Sequence, residues 1–386
     1  MTHASDWLRQ DKALRDPRQL WTCTEQSAGL VRRSLAFTAD PAFIELLSSL
    51  SITLFISREY ENLLISLKSD GNRLFQNYLA MPHPSGIACD RKKNLMYIAS
   101  TRNPNIIYQL RQAGEGDPRR PRHSILKEKP MLVARKKYYP GLYYFHDLAI
   151  MSGKLYANAV GMNGIIRVNL EKPEPDELAW YPKCIEDSNG NPRTEANYIQ
   201  LNSIAGGDSP RDSFYSASGD KIGYHRPGHL RYKVDKRGVI FSGKTRETCA
   251  VGLTRPHSLR MHKGTLWVAN SGYGEFGYLK KGSFESVVKL DGWTRGVLLI
   301  KDIAFVGTSK IIPRYRHYAP GLKDTKDSCG LYAISISSGS ILGTLKWPAG
   351  NQIFAIDYLK NQSTSGFQHS IFAEKTKSHS KLAFNN

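Results

Sequence analysis

One short pattern recurs six times along this chain and leaves few folds open to it. A polar residue, any residue and then an aliphatic one open an apolar run, and about ten residues later a second run ends in small residues. The openings are Ser85-Gly-Ile-Ala88, His146-Asp-Leu-Ala149, Asn202-Ser-Ile-Ala205, His257-Ser-Leu-Arg260, Arg295-Gly-Val-Leu298 and Phe354-Ala-Ile-Asp357. Five second runs follow: Leu95-Met-Tyr-Ile-Ala-Ser100, Leu155-Tyr-Ala-Asn158, Phe214-Tyr-Ser-Ala-Ser218, Leu266-Trp-Val-Ala-Asn270 and Ile303-Ala-Phe-Val-Gly307. The openings lie 61, 56, 55, 38 and 59 residues apart. Short strands at regular spacing with turn residues between them specify an all-β architecture. A four-stranded propeller blade takes about 40–50 residues, so the spacing predicts six blades with inserted loops.

The sixth repeat has only its first strand, Ile353 to Leu359, before the pattern ends. Three apolar runs within 52–79 precede the first opening and have no first strand of their own. Joining the two gives a complete blade, so the six-bladed β-propeller is expected to close by N-terminal strands pairing with the C-terminal blade, which leaves no bare inner edge. Three regions follow: an N-terminal extension over 1–46, the propeller over 47–360 and a tail over 361–386. The extension holds a short helix started by Asp40 and Pro41. The tail is polar and basic and is expected to be disordered. No run of about 18 apolar residues occurs, so no membrane insertion is expected, and the first residues lack the charged and apolar regions of a secretory signal.

Lysine and arginine number 54 against 34 aspartates and glutamates, a net charge of +20. Such a balance favours acidic partners. Residues 91–139 alone hold 13 of the basic residues and 3 acids, concentrated in Arg119-Arg-Pro-Arg-His123 and Arg135-Lys-Lys137. This reads as one basic loop over 102–140. No nucleic-acid-binding module accompanies it, so nucleic acid is not an expected partner. Five cysteines, Cys23, Cys89, Cys184, Cys249 and Cys329, are far apart and odd in number. They argue against a disulfide framework or a zinc knuckle, and for a reducing, cytoplasmic setting with buried inert thiols.

The run from Pro256-His-Ser-Leu-Arg260 through Leu266-Trp-Val-Ala-Asn-Ser-Gly-Tyr-Gly-Glu275 to Gly292-Trp-Thr-Arg-Gly296 and Ala304-Phe-Val-Gly-Thr-Ser-Lys310 resembles a bacterial family of conserved hypothetical β-propeller proteins, sometimes fused to tetratricopeptide repeats. Phe145-His-Asp-Leu-Ala149, Leu201-Asn-Ser-Ile-Ala205 and Gln352-Ile-Phe354 match the same pattern, and the resemblance spans about residues 43–360. It implies a propeller and assigns no chemistry. The family often carries acidic residues where this chain has Gln352 and Ala355.

The loop entering the innermost strand of each blade lies beside a propeller's central channel. The six opening residues Ser85, His146, Asn202, His257, Arg295 and Phe354 are therefore expected on one ring around the axis, whatever their distance in sequence. His146, His257 and Arg295 are the candidate catalytic residues: an imidazole takes or gives a proton while a guanidinium holds developing charge. His146 and His257 are also candidate ligands for a divalent metal, with oxygen donors in Asn202 and Asp147. Arg295 on the same ring repels a cation and suits a carboxylate or phosphate gripped by its planar fork. Ser85, His83, Asn202, Asn270, Glu275 and Gln352 are candidate ligand-binding residues, and the loops after the second strands add Arg102, Asn158, Asp220 and Lys310. Trp267, Trp293 and Trp347 fit blade cores. No phosphate-binding Gly-x-x-x-x-Gly-Lys-Ser/Thr, no Gly-x-Ser-x-Gly and no His-Glu-x-x-His is present, which removes the common nucleotide, hydrolase and zinc-protease readings. Two functions stay open: an enzyme or binder acting on a small anionic molecule or peptide at the axis, or a non-catalytic scaffold that binds an acidic macromolecule through its basic surface.

Overall fold

The computed structural model describes residues 34–367 apart from 103–104, 113–128, 173, 175, 312 and 324–326, together with 369–373 and 382–383. Six antiparallel sheets follow one another along the chain. Blade 1 runs Pro84–Asp90, Leu95–Ser100, Asn105–Gln112, Met131–Tyr139; blade 2 runs Phe145–Met151, Lys154–Ala159, Gly164–Val168, Glu177–Trp180. Blade 3 has Leu201–Ala205, Phe214–Ala217, Gly238–Ser242 and Thr248–Leu253, and blade 4 has Pro256–His262, Thr265–Asn270, Glu275–Lys280 and Ser283–Lys289. Blade 5 comprises Trp293–Ile300, Ile303–Ser309, Gly330–Ser335 and Ile341–Lys346. The first strands of successive blades touch each other all the way round, so they line the axis of a six-bladed propeller.

Blade 6 closes the ring as the repeat count predicts. Its inner strand, Ala355–Lys360, pairs antiparallel with Ile52–Arg58, which continues through Leu63–Ser69 to Leu74–Ala80. Strands 52–58 and 63–69 are buried nearly throughout. They therefore read as unbroken apolar runs and not as alternating ones.

A belt of side chains ties each blade to the next at the start of the inner strands. Ser85 Oγ donates to Phe145 O at 2.6 Å, Asn158 Nδ2 to Leu201 O at 3.0 Å and Asn202 Nδ2 to Pro256 O at 3.0 Å. Ser271 Oγ donates to Thr294 O at 2.6 Å, Ser309 Oγ to Ile353 O at 3.2 Å and Ser57 Oγ to Ser85 O at 2.5 Å. All six junctions are thus crossed. The belt satisfies carbonyls that buried chain entries would otherwise leave bare.

The helix Pro41–Ser49 buries Phe43, Ile44 and Leu47. Phe43 meets Phe305 edge-to-face at 6.0 Å, joining the helix to blade 5. Asp40 does not cap the helix with its side chain; its carboxylate accepts from Thr344 N and Oγ1 at 2.9 and 2.8 Å. Thr38–Ala39 adds a short fifth strand to blade 5. The tail departs from expectation as far as residue 373. His369–Ala373 pairs with 74–78 on the outside of blade 6, and Phe367 packs on Phe55 at 5.7 Å. An apolar Phe inside a polar stretch found a place in the core cluster beside blade 1. Residues 374–381 and 384–386 lie outside the described residues.

Cys89, Cys184, Cys249 and Cys329 are free thiols; Cys89 and Cys329 are buried as expected, Cys184 is half-buried and Cys249 exposed, and Cys23 lies outside the described residues. Among the described residues, no helix is long and apolar enough to cross a membrane.

Candidate functional site

The inner strands do not enter the sheets smoothly. In five blades the register with the second strand shifts at or beside the opening residue: between Pro84 and Ile87, opposite Phe145 to Leu148, between Leu201 and Ser203, between His257 and Arg260, and between Thr294 and Val297. Register shifts of this kind, as at a β-bulge, bend the strand and re-aim a side chain. Two residues before each opening stands a second set: His83, Tyr144, Gln200, Arg255, Trp293 and Gln352. Four of these residues, His83, Tyr144, Gln200 and Arg255, hold left-handed backbone with φ of 42°, 49°, 50° and 53°. A non-glycine residue there costs of order 1–3 kcal/mol and persists only where its surroundings fix it. Side-chain carbonyls do this directly: Asn62 Oδ1 accepts from His83 N and Asn105 Oδ1 from Tyr144 N.

The two sets surround a pocket of about 280 Å³ at the axis, to which all six blades contribute. His146, His257, Arg295 and Phe354 come from the opening set, and Tyr144, Gln200, Arg255, Trp293 and Gln352 from the set two residues earlier. Arg102 and Lys310 reach it from the loops after second strands, Glu59 and Tyr60 from blade 6, and Arg226 and Tyr318 from long loops of blades 3 and 5. Among the described residues, five cations and a single carboxylate thus face one space. Glu59 accepts from Arg102 Nε at 2.8 Å. Burial raises the Glu59 carboxyl, but Arg102, His83 and Arg295 outweigh it and hold its pKa below the usual value.

Arg295 is 8 % exposed, and among the described residues it has no hydrogen bond and no carboxylate within ion-pair distance. Its guanidinium lies over the Phe354 ring, 3.2 Å from the centroid. Burial lowers its pKa to about 10, so it is a cation at neutral pH with five N–H donors uncommitted to protein.

His257 Nδ1 lies 2.8 Å from Arg255 O and 3.0 Å from Ser271 Oγ. A carbonyl only accepts, so Nδ1 carries the proton and Nε2 keeps a lone pair. Burial, then Arg295, hold His257 well below its ordinary pKa, and the same two causes act on His146 in that order. His146 stands edge-to-face with Phe354 at 5.4 Å, its Nδ1 buried without a partner. Two neutral imidazoles therefore flank one guanidinium. This arrangement can grip an anion and move a proton on it. Among the described residues no group of three His, Cys, Asp or Glu converges to hold a metal ion. Asp147, a candidate oxygen donor, is engaged by Arg260, at 2.7 Å from Nη1 to Oδ2, and by Ile204 N. The donor set does not fit a divalent metal.

The remaining expected residues scatter. Ser85 is wholly buried with its hydroxyl spent on Ala99 O and Phe145 O, and it does not line the pocket. Asn202 lines a small space deeper on the axis, together with Ala355. Asn158 belongs to the inter-blade belt. Asn270 donates to Glu275 and accepts from Thr254 N, so this pair braces a turn outside the pocket. Asp220 does not reach the pocket either. His83 sits behind Glu59, and burial takes its pKa down to about 4. Gln352 does line the pocket, its Oε1 buried without a partner. Trp293 faces the pocket and not a blade core, beside His257 at 5.6 Å; Trp267 and Trp347 are core residues as expected. Sequence reasoning missed Tyr144, Gln200 and Arg255, although the spacing that puts His83 before Ser85 and Gln352 before Phe354 applies to every repeat.

Comparison with solved structures gives the fold and no more. A chain of the nidogen/laminin complex is similar at 9 % identity and a TM-score of 0.53, over 81 % of this chain and 99 % of that one. A gluconolactonase from Xanthomonas campestris is similar at 12 % identity and a TM-score of 0.45, over 75 % of this chain and 82 % of that one. No curated protein matches the chain. The comparisons show no fusion to tetratricopeptide repeats. A family model described as a domain of unknown function, DUF4915, matches residues 41–366, six repeats and closing strands included, and the chain belongs to that family.

Proposed function

We propose that the axial pocket binds a small anionic molecule or the anionic group of a short peptide, and that His257 accepts a proton from it. One observation carries this reading. Among the described residues Arg295 is a buried cation with no carboxylate within ion-pair distance, Glu59 acting on it only from further off, and buried charges are ordinarily paired. A carboxylate or phosphate seated on its fork would supply the missing partner, within reach of two neutral imidazoles. An uncharged Gln352 at the pocket wall leaves the pocket strongly positive. Bound there, a carbon acid or hydroxyl beside the anionic group would face Nε2 of His257, and Arg295 would hold the charge that develops. His257, once protonated, would return that proton to the bound molecule.

Titration calorimetry with a panel of small organic acids tests this on the full chain, comparing wild type with Arg295→Gln. Binding that disappears in the variant supports the reading; binding that is equal in both removes it. The alternative, a scaffold holding an acidic macromolecule, has less support. On the outer strand of blade 1, Arg135 is paired with Glu171, and Lys137 with Asp176 at 3.0 Å. Arg119, Arg120 and Arg122 lie outside the described residues.

A further inference from the structure

His146 and Asn202 open successive repeats, and each carries a polar atom that the fold buries without a partner: Nδ1 of His146 and Oδ1 of Asn202. The Asn202 amide cannot be turned round. Its Nδ2 donates to Pro256 O and to Ser218 Oγ, both at 3.0 Å, and a carbonyl only accepts, so Oδ1 is the end left for the axis. There both residues line the small space deeper on the axis, about 10 Å³ in volume, at the lower limit for a water molecule. Other groups around it are engaged. Asp147 is held by Arg260 and Ile204 N, Ser203 Oγ by Ser216 Oγ and Leu259 N, and His257 Nδ1 by Arg255 O. His146 also borders the main pocket, and Nδ1 is its buried nitrogen, so Nε2 is the one open to that pocket. Burial and Arg295 keep the ring neutral, while Asn202 is near enough to act on it as a hydrogen-bond partner and favour its protonated form.

A carbonyl oxygen repels an imidazole lone pair and accepts an imidazole N–H, and the bond made by one ring nitrogen decides where the lone pair stays. We infer that Asn202 is a positioning residue: its Oδ1 accepts from Nδ1–H of His146, which holds His146 as the tautomer with its lone pair on Nε2, turned to the main pocket. His146 then matches His257, whose Nδ1–H is held by Arg255 O. The two imidazoles meet the pocket as a pair of hydrogen-bond acceptors beside the Arg295 donors, so an occupant must bring an N–H or O–H to His146. An amide does this without adding charge; a carboxylate in its place would pull the ring toward imidazolium. This placement belongs to the unliganded protein and does not rest on Arg295 as an anion anchor.

The test is long-range 1H–15N NMR on the full chain labelled with 15N-histidine, at pH 7.5 and without ligand. Signals lost in His146→Gln and in His257→Gln assign the two rings. Both should show a protonated, pyrrole-type Nδ1 and an unprotonated, pyridine-type Nε2. In Asn202→Ala the His146 Nδ1 signal should move toward the pyridine type and Nε2 toward the pyrrole type, with His257 unchanged. A merely structural Asn202 would leave the His146 tautomer where it is. Asn202 also spans a blade junction, so the wild-type spectrum decides alone if Asn202→Ala does not fold. His146 protonated on Nε2 in the wild type, or an unchanged Nδ1–H in folded Asn202→Ala, would overturn the assignment. Failure of every small acid to bind would overturn the anion reading and leave this one standing.

Discussion

Arg295 of blade 5 rests on the ring of Phe354 of blade 6, its guanidinium carbon 3.2 Å from the centroid. The two residues open successive repeats, so the stack is made by the ring closing on itself. The aromatic face covers one side of the cation and leaves its N–H edge toward the pocket. A stacked cation of this kind gains about 1–2 kcal/mol when desolvated, less than a counter-ion would give. Arg295→Gln is therefore expected to melt within a few degrees of wild type, because it removes an uncompensated buried charge. Its anion binding should fall about 10- to 100-fold, the worth of hydrogen bonds to a charged group. Arg295→Lys should bind nearly as poorly, since an ammonium cannot reproduce the planar fork. A large drop in melting temperature for Arg295→Gln would show a structural role instead.

The histidines set the response to acid. His83, His146 and His257 are held below their ordinary pKa, His83 at about 4. Below about pH 6.5 the unfolded chain binds protons at these positions and the folded chain does not, so stability falls as pH falls. The slope for each group is about 1.4 kcal/mol per pH unit until the folded pKa is reached. Urea melts from pH 7.5 to 4.5 should show this loss, and His83→Gln should make it shallower. Arg295 gives the opposite limit. Its pKa of about 10 predicts anion binding that is flat from pH 6.5 to 9 and weakens above 10. An inflection near pH 6.5 in binding would mean that an imidazolium holds the anion.

Ser85 separates structure from function among the opening residues. Its hydroxyl donates to Phe145 O across a blade junction at 2.6 Å, with Ala99 O of its own blade 3.1 Å away, and does not line the pocket. Ser85→Ala should lower stability by about 1–3 kcal/mol, the cost of stranding buried acceptors, with anion affinity unchanged. Denaturant melts and calorimetry on one preparation check both halves.

The blades were legible because each repeat carries the same local instruction, an aliphatic run opened by a distinctive residue and ended by small ones. Closure followed from counting strands at the two ends. The site was legible only in part. His146, His257 and Arg295 stand out because a simple cap does not need such residues. Arg255 and Tyr144 do not, because they precede the strand and differ in every blade. What marks them is backbone: left-handed φ imposed by Asn62, Asn105 and similar braces, which a residue-type pattern does not display. Arg226 and Tyr318 arrive on long loops with no periodicity. Phe367 was hidden by the polar company of its neighbours.

Gln352 tests the electrostatic reading without touching the cations. Its Oε1 is buried in the pocket with no partner. Gln352→Glu changes shape little and adds a negative charge among five cations. The variant should be as stable as wild type or more so, and should bind small anions at least about tenfold more weakly, because the added carboxylate competes for the same guanidinium. Unchanged affinity would place the anion elsewhere.

The closing blade gives the last prediction, in which both chain ends matter for different reasons. Residues 52–80 supply three of the four strands of blade 6, and the inner strand 355–360 has no other partner in that sheet. Deleting residues 1–80 strands the inner edge and exposes what remains of the shared core cluster, Leu298, Phe305, Leu331, Leu345, Trp347 and Ile356. The product should be insoluble or melt without cooperativity. Ending the chain at Lys360 leaves the closing pairs intact but removes Phe367 from its contact with Phe55 and the strand 369–373 from the outer edge. That truncated protein should fold and bind anions, with a lower melting temperature. Phe367→Ala alone should account for much of the loss, about 3–5 kcal/mol for a buried phenylalanine. Circular dichroism melts of the three proteins decide the matter. Cooperative melting of the chain starting at residue 81 would refute the closure, and an unchanged melting temperature after truncation at Lys360 would mean that residues 361–373 stabilise nothing.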